Sequence, residues 1–293
     1  MERLGTLKDL RRLQLSFLRP EPPGDLHEAK ESPSCDHFSS DGTEYPSPEL
    51  IEADVDFMCW SAQLSNVIRY VGQYYWKHET AEHLKARELE CVHRNGETVP
   101  RMESVAEHSW HLADMALLLS PRYPFLNRSR CLEIAILHDK LEIITGDADP
   151  VGDDGTGGNG SAFNASKQSL KASAERTALK YYLNQVEGRV RTFQQRVLID
   201  TLSVGSEEAR FIKGLDKLQP MVFILLKKLG DMSDNHLEFT FKYSRTSITY
   251  FPLLRAYYCA LTERLIHRVA AFRGIQPSIL RSIAQPYLAF ETT

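Results

Sequence analysis

Two histidines and three acidic residues in this 293-residue chain have types and spacing that suit metal-assisted hydrolysis. His108 lies near the start of one predicted helix, His138, Asp139 and Glu142 lie on the next, and Asp216 follows much later. Two imidazoles and two carboxylates suit Mg²⁺ or a divalent first-row metal better than a thiolate-loving ion. On a helix, residues three or four apart share a face, which would put a carboxylate that does not bind the metal beside the attacking water.

Each of these residues also has a purely structural interpretation. His108 lies on an apolar stripe, where a histidine more often forms a hydrogen bond in the core than binds a metal. Asp216 alone equally suits a surface acid that pairs with Lys213 or Lys217. The adjacent histidine and aspartate on the second helix are harder to explain in this way, because burying both groups unpaired costs on the order of several kcal/mol.

The elements that must position these residues are predicted to be helices. Apolar residues recur at every third or fourth position from about residue 47 onward, for example over 108–119 and 211–222. Ser104-Val-Ala-Glu107 has the pattern of a capping box, which predicts the start of the helix that carries His108. Alternating strand patterns are nearly absent, and Asn95-Gly96 predicts one small hairpin within Leu89–Val99. The expected fold class is therefore all-α with a small hairpin insertion.

Composition divides the chain into residues 1–19, 20–49 and 50–293. Residues 20–49 contain six Pro, five Ser and eight acidic residues against one Lys, which predicts a disordered acidic linker. The amphipathic segment before it, Leu4 to Leu18, is either a helix that docks on the main domain or a mobile arm. Within the main domain, five Gly among the nine residues 152–160 predict a mobile loop over 151–165. No Gly-Lys-Ser/Thr follows, so a phosphate-binding glycine loop is not favoured.

Charge and hydropathy exclude several classes of partner. With 35 basic and 39 acidic residues the net charge is −4, which argues against a nucleic-acid polymer as partner. No apolar run approaches the roughly 20 residues of a membrane helix, and the N-terminus lacks the pattern of a signal peptide. Five scattered cysteines without a Cys-x-x-Cys pair argue against a disulfide framework. These observations predict a cytoplasmic protein that does not contact membranes.

The combined motif resembles that of the HD-domain metal-dependent phosphohydrolases, in particular the branch that contains 5′-deoxynucleotidases. The resemblance covers about residues 60–275, and the segments that carry it are Glu103-Ser-Val-Ala-Glu-His108, His138-Asp-Lys-Leu-Glu-Ile-Ile-Thr-Gly-Asp147 and Leu215-Asp216. Ile68–Gln73 also looks like the first core helix of that branch. The resemblance implies an HD-domain helical bundle and, by analogy with the branch, a homodimer.

The resemblance also implies a role for each site residue. Glu142 would position or deprotonate the attacking water, and Asp147 would lie near the substrate phosphate or the leaving group. The metal ligands would be His108, His138, Asp139 and Asp216.

The family's phosphate-binding arginine has no unambiguous counterpart, because extra residues surround the expected position. Arg87 is the first candidate, since it lies near the base of the predicted hairpin, and Arg94 near its tip is the second. Lys140, directly after the His-Asp pair, is a further cation for the phosphate or a solvated surface lysine.

The positions of the ten histidines bear on the number of metal ions. None lies between Asp139 and Asp216, where HD proteins with two metals place further ligands. The sequence therefore predicts one divalent ion per chain, whether Co, Mn, Mg, Fe, Ni or Zn, and argues against redox chemistry and two-metal phosphodiesterase activity. His111, one turn after His108, is the nearest spare imidazole.

The predicted function is that of a phosphohydrolase that removes phosphate from a nucleoside monophosphate or a related nucleotide. The inserted segments suit a specialised role, for example in a cordycepin-type pathway. Two alternatives stay open: a nucleoside triphosphate hydrolase, and a non-catalytic nucleotide sensor. The base, the sugar, the position of the phosphate and the native metal stay open as well.

Overall fold

The fold is built from helices throughout the part of the chain that the computed structural model describes, residues 47–70, 72–77 and 102–290. Three short 3₁₀ helices, Gln63–Asn66, Ser120–Arg122 and Pro252–Leu254, join or extend the longer ones. In chain order the α-helices are α1 Pro48–Ala62, α2 Val105–Leu119, α3 Arg128–Leu137, α4 Glu142–Thr145, α5 Ala165–Leu183, α6 Gly188–Ser203, α7 Glu207–Lys227, α8 Asp234–Tyr250, α9 Arg255–Arg273 and α10 Pro277–Leu288.

The predicted all-α class is confirmed. Among the described residues there is no β-strand, and the one strand-like feature is an isolated antiparallel bridge between Ile68 and Ser104. The predicted hairpin at Leu89–Val99 and the segments 1–19 and 20–46 lie outside the described residues. No helix of the described residues is both long enough and apolar enough to cross a membrane.

The helix starts follow from short polar side chains in the sequence. Ser104 accepts a hydrogen bond from the amide of Glu107, and the Glu107 carboxylate accepts one from the amide of Ser104, so the predicted capping box is confirmed. Asn164 caps α5 and Ser206 caps α7 in the simpler way, with a side-chain oxygen that accepts from an amide of the first turn. These caps fix where α2, α5 and α7 begin, and all three helices carry residues of the site described below.

Helix α7 lies at the centre of the core and packs against α2, α3, α8 and α9. Its predicted apolar stripe is buried at Phe211, Leu215 and Leu218, while Val222 is partly exposed. Asp216 lies within this stripe and is 7% exposed. A carboxylate in such surroundings needs cationic or hydrogen-bonding partners, so its burial is the first structural sign of a functional site.

Two helices that the sequence predicts are different in the structure. Ile68–Gln73 is not helical in its described residues: the Arg69 amide donates to the carbonyl of Glu103 at 2.8 Å, and Tyr70 has a φ of +67°. The left-handed backbone at a tyrosine is incompatible with a continuing α-helix, so the first-core-helix interpretation is wrong. This segment instead runs alongside the residues that lead into α2.

The second difference concerns the helix expected to carry both His138 and Glu142. Helix α3 ends at Leu137, and the chain continues through tight turns before α4 begins at Glu142. In these turns the Glu142 amide donates to the carbonyl of Asp139 at 2.9 Å, a bond to the third residue back rather than the fourth. Such bonding winds the chain more tightly than an α-helix does, which changes the direction of each side chain in the motif.

Residues 151–164 of the predicted loop over 151–165 are irregular chain between α4 and α5, and residue 165 is the first residue of α5. Within it, the Asp149 carboxylate accepts hydrogen bonds from the amides of Val151 and Gly152, at 2.9 and 3.1 Å. The Asp154 carboxylate accepts from the amide and hydroxyl of Thr156. The loop therefore has its own internal hydrogen bonds, although glycine dominates its sequence.

Candidate metal centre

Four side chains converge in the structure, as the spacing of the motif predicts. Nε2 of His108 lies 3.2 Å from Nε2 of His138, 3.6 Å from Oδ2 of Asp139 and 3.3 Å from Oδ1 of Asp216. Nε2 of His138 lies 3.0 Å from the same Asp139 oxygen. One ligand atom from each residue lies within 4.8 Å of all the others. Two nitrogens and two carboxylate oxygens therefore point at one small volume.

Three separate elements deliver these donors. His108 lies in the first turns of α2, just after the capping box, and Asp216 lies in the middle of α7. His138 and Asp139 lie in the tight turn after α3, where Nδ1 of His138 is 2.8 Å from the carbonyl of Ala135. That hydrogen bond uses one ring nitrogen and leaves Nε2 to face the cluster.

The protonation states suit a cation. Burial, with a further contribution from the positive charge of Arg69, lowers the pKa of His108 to about 4, so its imidazole is neutral at neutral pH. Burial raises the pKa of Asp216, but the charges of Lys217 and Lys213 outweigh it and hold that pKa well below its ordinary value. Burial likewise raises the pKa of Asp139, and its histidine neighbours lower it further than burial raises it. Neutral imidazoles and ionised carboxylates are the forms that bind metals.

The four residues fit a divalent metal ion. Asp139 and Asp216 bring two negative charges to within 4 Å of one buried nitrogen, an arrangement that repels itself unless a cation lies between them. Mixed nitrogen and oxygen donors match Mg²⁺ or a first-row transition ion. His111, the spare imidazole, lies outside the cluster, and its Nδ1 is 3.2 Å from Nε2 of Gln219.

Glu142 lies beside the cluster without belonging to it. Its side chain is buried, and Oε2 has no hydrogen-bond partner among the described residues. Nζ of Lys171 lies 3.8 Å from the other oxygen. Burial and the negative charges of Asp139 and Asp147 raise the pKa of Glu142 well above its ordinary value. This carboxyl group binds protons more readily than an exposed glutamate does, as a general base requires.

Asp147 follows α4 and lines the same cavity as Glu142. Its pKa is raised because burial favours the neutral carboxylic acid, although the charge of Arg69 opposes this. The structure thus brings together both of the acids that the sequence assigns to catalysis.

A buried network behind His108 was missed by sequence reasoning. Arg69 donates to Oε2 of Glu103 at 2.9 Å, and Gln219 donates to Oε1 of the same carboxylate at 2.6 Å. That carboxylate faces the rear nitrogen of His108, with Oε2 3.9 Å from Nδ1. Glu103 lies in the motif and Arg69 lies in the segment expected to be helical. The sequence therefore pointed to both segments, but it did not show that these two side chains pair.

A cavity of about 390 Å³ opens next to the cluster, a size within the range of small-molecule sites. We call one part of its wall the acidic end, formed by Asp139, Glu142, Asp147 and Asp216. We call another part the aromatic end, formed by Tyr75, Trp76, His236, Phe239 and Tyr243. The cations that line the cavity are Arg69, Lys171, Lys213 and Lys217.

Asp216 also pairs with Lys213 and Lys217, as its purely structural interpretation predicts. Nζ of Lys217 and Nζ of Lys213 lie 3.1 and 3.4 Å from its Oδ2, while Oδ1 faces His108. The predicted lysine pairing and the predicted ligand role therefore coexist, because each uses a different oxygen of the carboxylate.

Among the described residues, Lys140 is the one predicted phosphate-binding residue, and it does not line the cavity. Lys140 donates to the hydroxyl of Ser61 on α1. Burial lowers its pKa, so its surroundings disfavour the charged form. Arg87 and Arg94 lie outside the described residues.

Comparison with known proteins agrees with the motif. The sequence profile of the HD domain family matches residues 85–252, more than half of the chain. A Mus musculus protein named 5′-deoxynucleotidase HDDC2 is 31% identical over 128 residues, which are 44% of this chain and 56% of that protein. A Schizosaccharomyces pombe protein named 5′-deoxynucleotidase hdd1 is 27% identical over 125 residues, 41% of this chain and 56% of that protein. The chain thus matches little more than half the length of these relatives.

One solved structure gives a weaker likeness. It is the crystal structure of a predicted metal-dependent phosphohydrolase from Magnetospirillum magnetotacticum, 21% identical in sequence. The match covers 83% of this chain and 95% of that chain, with a TM-score of 0.43.

Proposed function

Because the chain belongs to the HD domain family, we propose that it is a metal-dependent phosphohydrolase that removes phosphate from a nucleoside monophosphate. The observation that carries the proposal is the position of Glu142. It is a buried carboxyl group with a raised pKa, beside four convergent metal-binding side chains and in the wall of the same cavity. Metal ligands alone suit binding, whereas an additional acid next to them suits hydrolysis.

The four clustered residues and the two acids beside them would have different roles. His108, His138, Asp139 and Asp216 would hold a divalent ion, which when bound supplies positive charge to the phosphate and to the attacking water. Glu142 takes the proton from that water as its oxygen attacks phosphorus. The bond between phosphorus and the ester oxygen then breaks, and the nucleoside oxygen leaves with a proton. Asp147 lines the cavity, and its raised pKa favours the protonated carboxyl group more than in an exposed aspartate, so Asp147 would donate this proton.

The phosphate needs further positive charge, since one divalent ion does not neutralise a dianion together with two ligand carboxylates. Arg87, and after it Arg94, stay our candidates for this role because a guanidinium binds two phosphate oxygens at once. Lys140 is a weaker candidate for binding the phosphate, because it donates a hydrogen bond to Ser61 and does not line the cavity. Lys213 and Lys217 line the cavity and are cations that the sequence alone did not assign to it.

Several finer points belong to the same proposal. One ion per chain is supported by the absence of histidine between Asp139 and Asp216 and by the single four-donor group among the described residues. Glu142 and Asp147 in the cavity wall favour an enzyme over a nucleotide sensor. Homodimerisation, a cytoplasmic location and a role in a cordycepin-type pathway rest on the sequence arguments alone.

The test is phosphate release from a panel of 5′- and 3′-nucleotides, deoxynucleotides and triphosphates. The protein is first stripped of metal and then refilled with Co²⁺, Mn²⁺ or Mg²⁺. We expect release from a nucleoside monophosphate that depends on the added ion. Hydrolysis confined to triphosphates would replace the proposed substrate class, and no release from any compound would contradict the proposed activity.

A further inference from the structure

The part of the cavity that the proposed mechanism does not use is its aromatic end. We propose that the aromatic end binds the planar base of the substrate and that the glycine-rich loop, residues 152–160, holds this base site in shape. The inference rests on the proposed function, because it places the base where a nucleotide would extend from a phosphate at the acidic end.

The rings of the aromatic end are arranged in parallel pairs. Tyr75 and His236 stack with their centroids 4.1 Å apart and 7° between their planes. Phe239 and Tyr243 lie 5.8 Å apart at 15°. Within each pair the stacked faces contact each other, and the remaining surface of the four rings lines the cavity. A wall of aromatic rings suits a planar heteroaromatic ring, which gains from ring contacts in addition to apolar burial. An aliphatic group would gain from burial alone.

Lys217 joins the aromatic end to the acidic end. Its ammonium lies 3.1 Å from Oδ2 of Asp216 and donates to the hydroxyl of Tyr243 at 2.8 Å. It also lies 4.7 Å from the centroid of the Tyr243 ring. Only the side chain of Lys217 therefore lies between Asp216 and the ring of Tyr243. A nucleotide whose phosphate is at the acidic end would be long enough to bring its base to the rings.

His236 contributes a neutral ring. It is 4% exposed, and burial together with the charge of Lys228 lowers its pKa well below the ordinary value. An uncharged imidazole stacked on Tyr75 presents a ring without the strong hydration of a charged group. This supports the assignment to a base rather than to a second phosphate.

The glycine-rich loop packs directly on these rings. The hydroxyl of Tyr75 donates to the carbonyl of Gly155. A Cβ atom at Gly155 would lie 2.5 Å from the ring of Tyr74, and one at Gly157 would lie 2.8 Å from the ring of Phe239. Both glycines have positive φ, +72° and +80°. Glycine is therefore favoured at both positions for two reasons: the positive φ and the lack of space for a Cβ atom beside the rings. In our proposal the loop holds the rings of the aromatic end in place.

The residues that flank the loop line the cavity. Val151 lies directly before the loop, Ser161 and Ala162 lie directly after it, and all three line the cavity together with the acidic and aromatic residues. The role that we propose for the loop could not be predicted from its composition, which argued only against phosphate binding by a glycine loop.

The experiment compares a deoxynucleoside 5′-monophosphate with 2-deoxyribose 5-phosphate, which has the same sugar phosphate and no base. Phe239→Leu removes a stacking face but keeps an apolar side chain. The matched control is Phe241→Leu, because Phe241 is buried on the same helix and does not line the cavity. We expect the wild-type protein to favour the nucleotide by roughly 10-fold or more in kcat/KM, the scale of stacking on one base. That preference should collapse towards one in Phe239→Leu and persist in Phe241→Leu.

A loop variant tests the second half of the proposal. Gly157→Ala should weaken the preference for the nucleotide by displacing Phe239. The control is Gly274→Ala, since Gly274 also has positive φ, +65°, but has nothing within 4 Å of a Cβ atom. Thermal melting of all variants separates a local effect from a loss of folding.

Direct binding separates failure of the base site from failure of the proposed function. Calorimetry with deoxyadenosine, which carries no phosphate, does not require turnover. If both phosphates are hydrolysed equally well, or if Phe239→Leu leaves the preference unchanged, the base site is refuted and the phosphohydrolase stands. If neither is hydrolysed, the activity is refuted. The base site then stands only if deoxyadenosine binds and Phe239→Leu weakens its binding.

Discussion

The acidic and aromatic ends of the cavity are built in opposite ways. Three of the four residues of the proposed metal site at the acidic end come from the 32 consecutive positions 108–139, and the fourth comes from α7. The aromatic end takes its rings from residues 75–76 and from α8, and its outer contacts come from the glycine-rich loop. The proposed metal site is encoded mainly by a local sequence motif, whereas the aromatic end forms where segments that are distant in the sequence come together.

The forces that hold the two ends also differ. At the acidic end, buried charges are held by opposite charges and by hydrogen bonds, for example Asp216 by two lysines. At the aromatic end, rings are held by apolar contact and by the close approach of glycine backbone. The difference predicts that the proposed metal site and the proposed base site can be changed independently. Four predictions test this separation.

The largest effect is expected from Asp139→Ala. This change removes a carboxylate that lies 3.0 Å from His138 and 3.6 Å from His108, so the ion loses a charged ligand at the centre of the cluster. We expect metal content, measured by mass spectrometry after dialysis, to fall from about one ion per chain to near zero. Asp114→Ala, on the exposed face of α2, is the control. Unchanged metal content in Asp139→Ala would refute the ligand assignment.

Glu142→Gln should separate chemistry from metal binding. The amide keeps the shape of the side chain but cannot take a proton, so kcat should fall by roughly 10²-fold or more, the usual scale of general base catalysis. Metal content should stay at the wild-type value, because Glu142 is not one of the four convergent donors. If the ion were lost as well, Glu142 would be a ligand and its proposed role would be wrong.

Glu103→Gln tests the network behind His108. Glu103 touches neither substrate nor metal in our assignment. Its Oε2 lies 3.9 Å from Nδ1 of His108, beyond hydrogen-bond distance, so we expect it to position the imidazole through its charge. The loss of its charge should weaken metal affinity by about 10-fold to 100-fold, the range observed for partners of metal-binding histidines. Affinity is measured by competition with a chelator.

The control for this variant is Glu107→Gln, which removes a charge from the same helix but keeps a side-chain oxygen that can complete the capping box. It should leave both the melting temperature and the metal affinity nearly unchanged. Equal effects of the two variants on affinity would show that Glu103 supports only the fold.

The smallest effect is expected from removal of residues 1–46, which leaves the chain to begin just before α1. The linker composition predicts no contribution to a core, so both ends of the cavity should keep their function. Metal content and the ratio of the two kcat/KM values should match those of the full chain. A large fall in melting temperature would show that the amphipathic segment Leu4 to Leu18 docks on the domain.

The sequence by itself determined which four side chains form the cluster at the candidate metal centre. The types and order of His108, His138, Asp139 and Asp216 identified a cluster that the structure brings together. The capping box at Ser104 and the loop at 152–160 were also predictable. Each of these features depends on neighbours in the chain or on the chemistry of the side chain alone, so it is visible without a fold.

Only the tertiary structure decided how the remaining residues are used. Arg69 and Glu103 are 34 positions apart, and Glu103 and Gln219 are 116 apart, yet each pair shares a buried hydrogen bond. The helix expected to span His138 and Glu142 is broken by tight turns, and Lys140 there points to Ser61. A charged side chain in a sequence does not specify its partner, because the partner is whichever opposite charge or dipole the fold brings into the same buried volume.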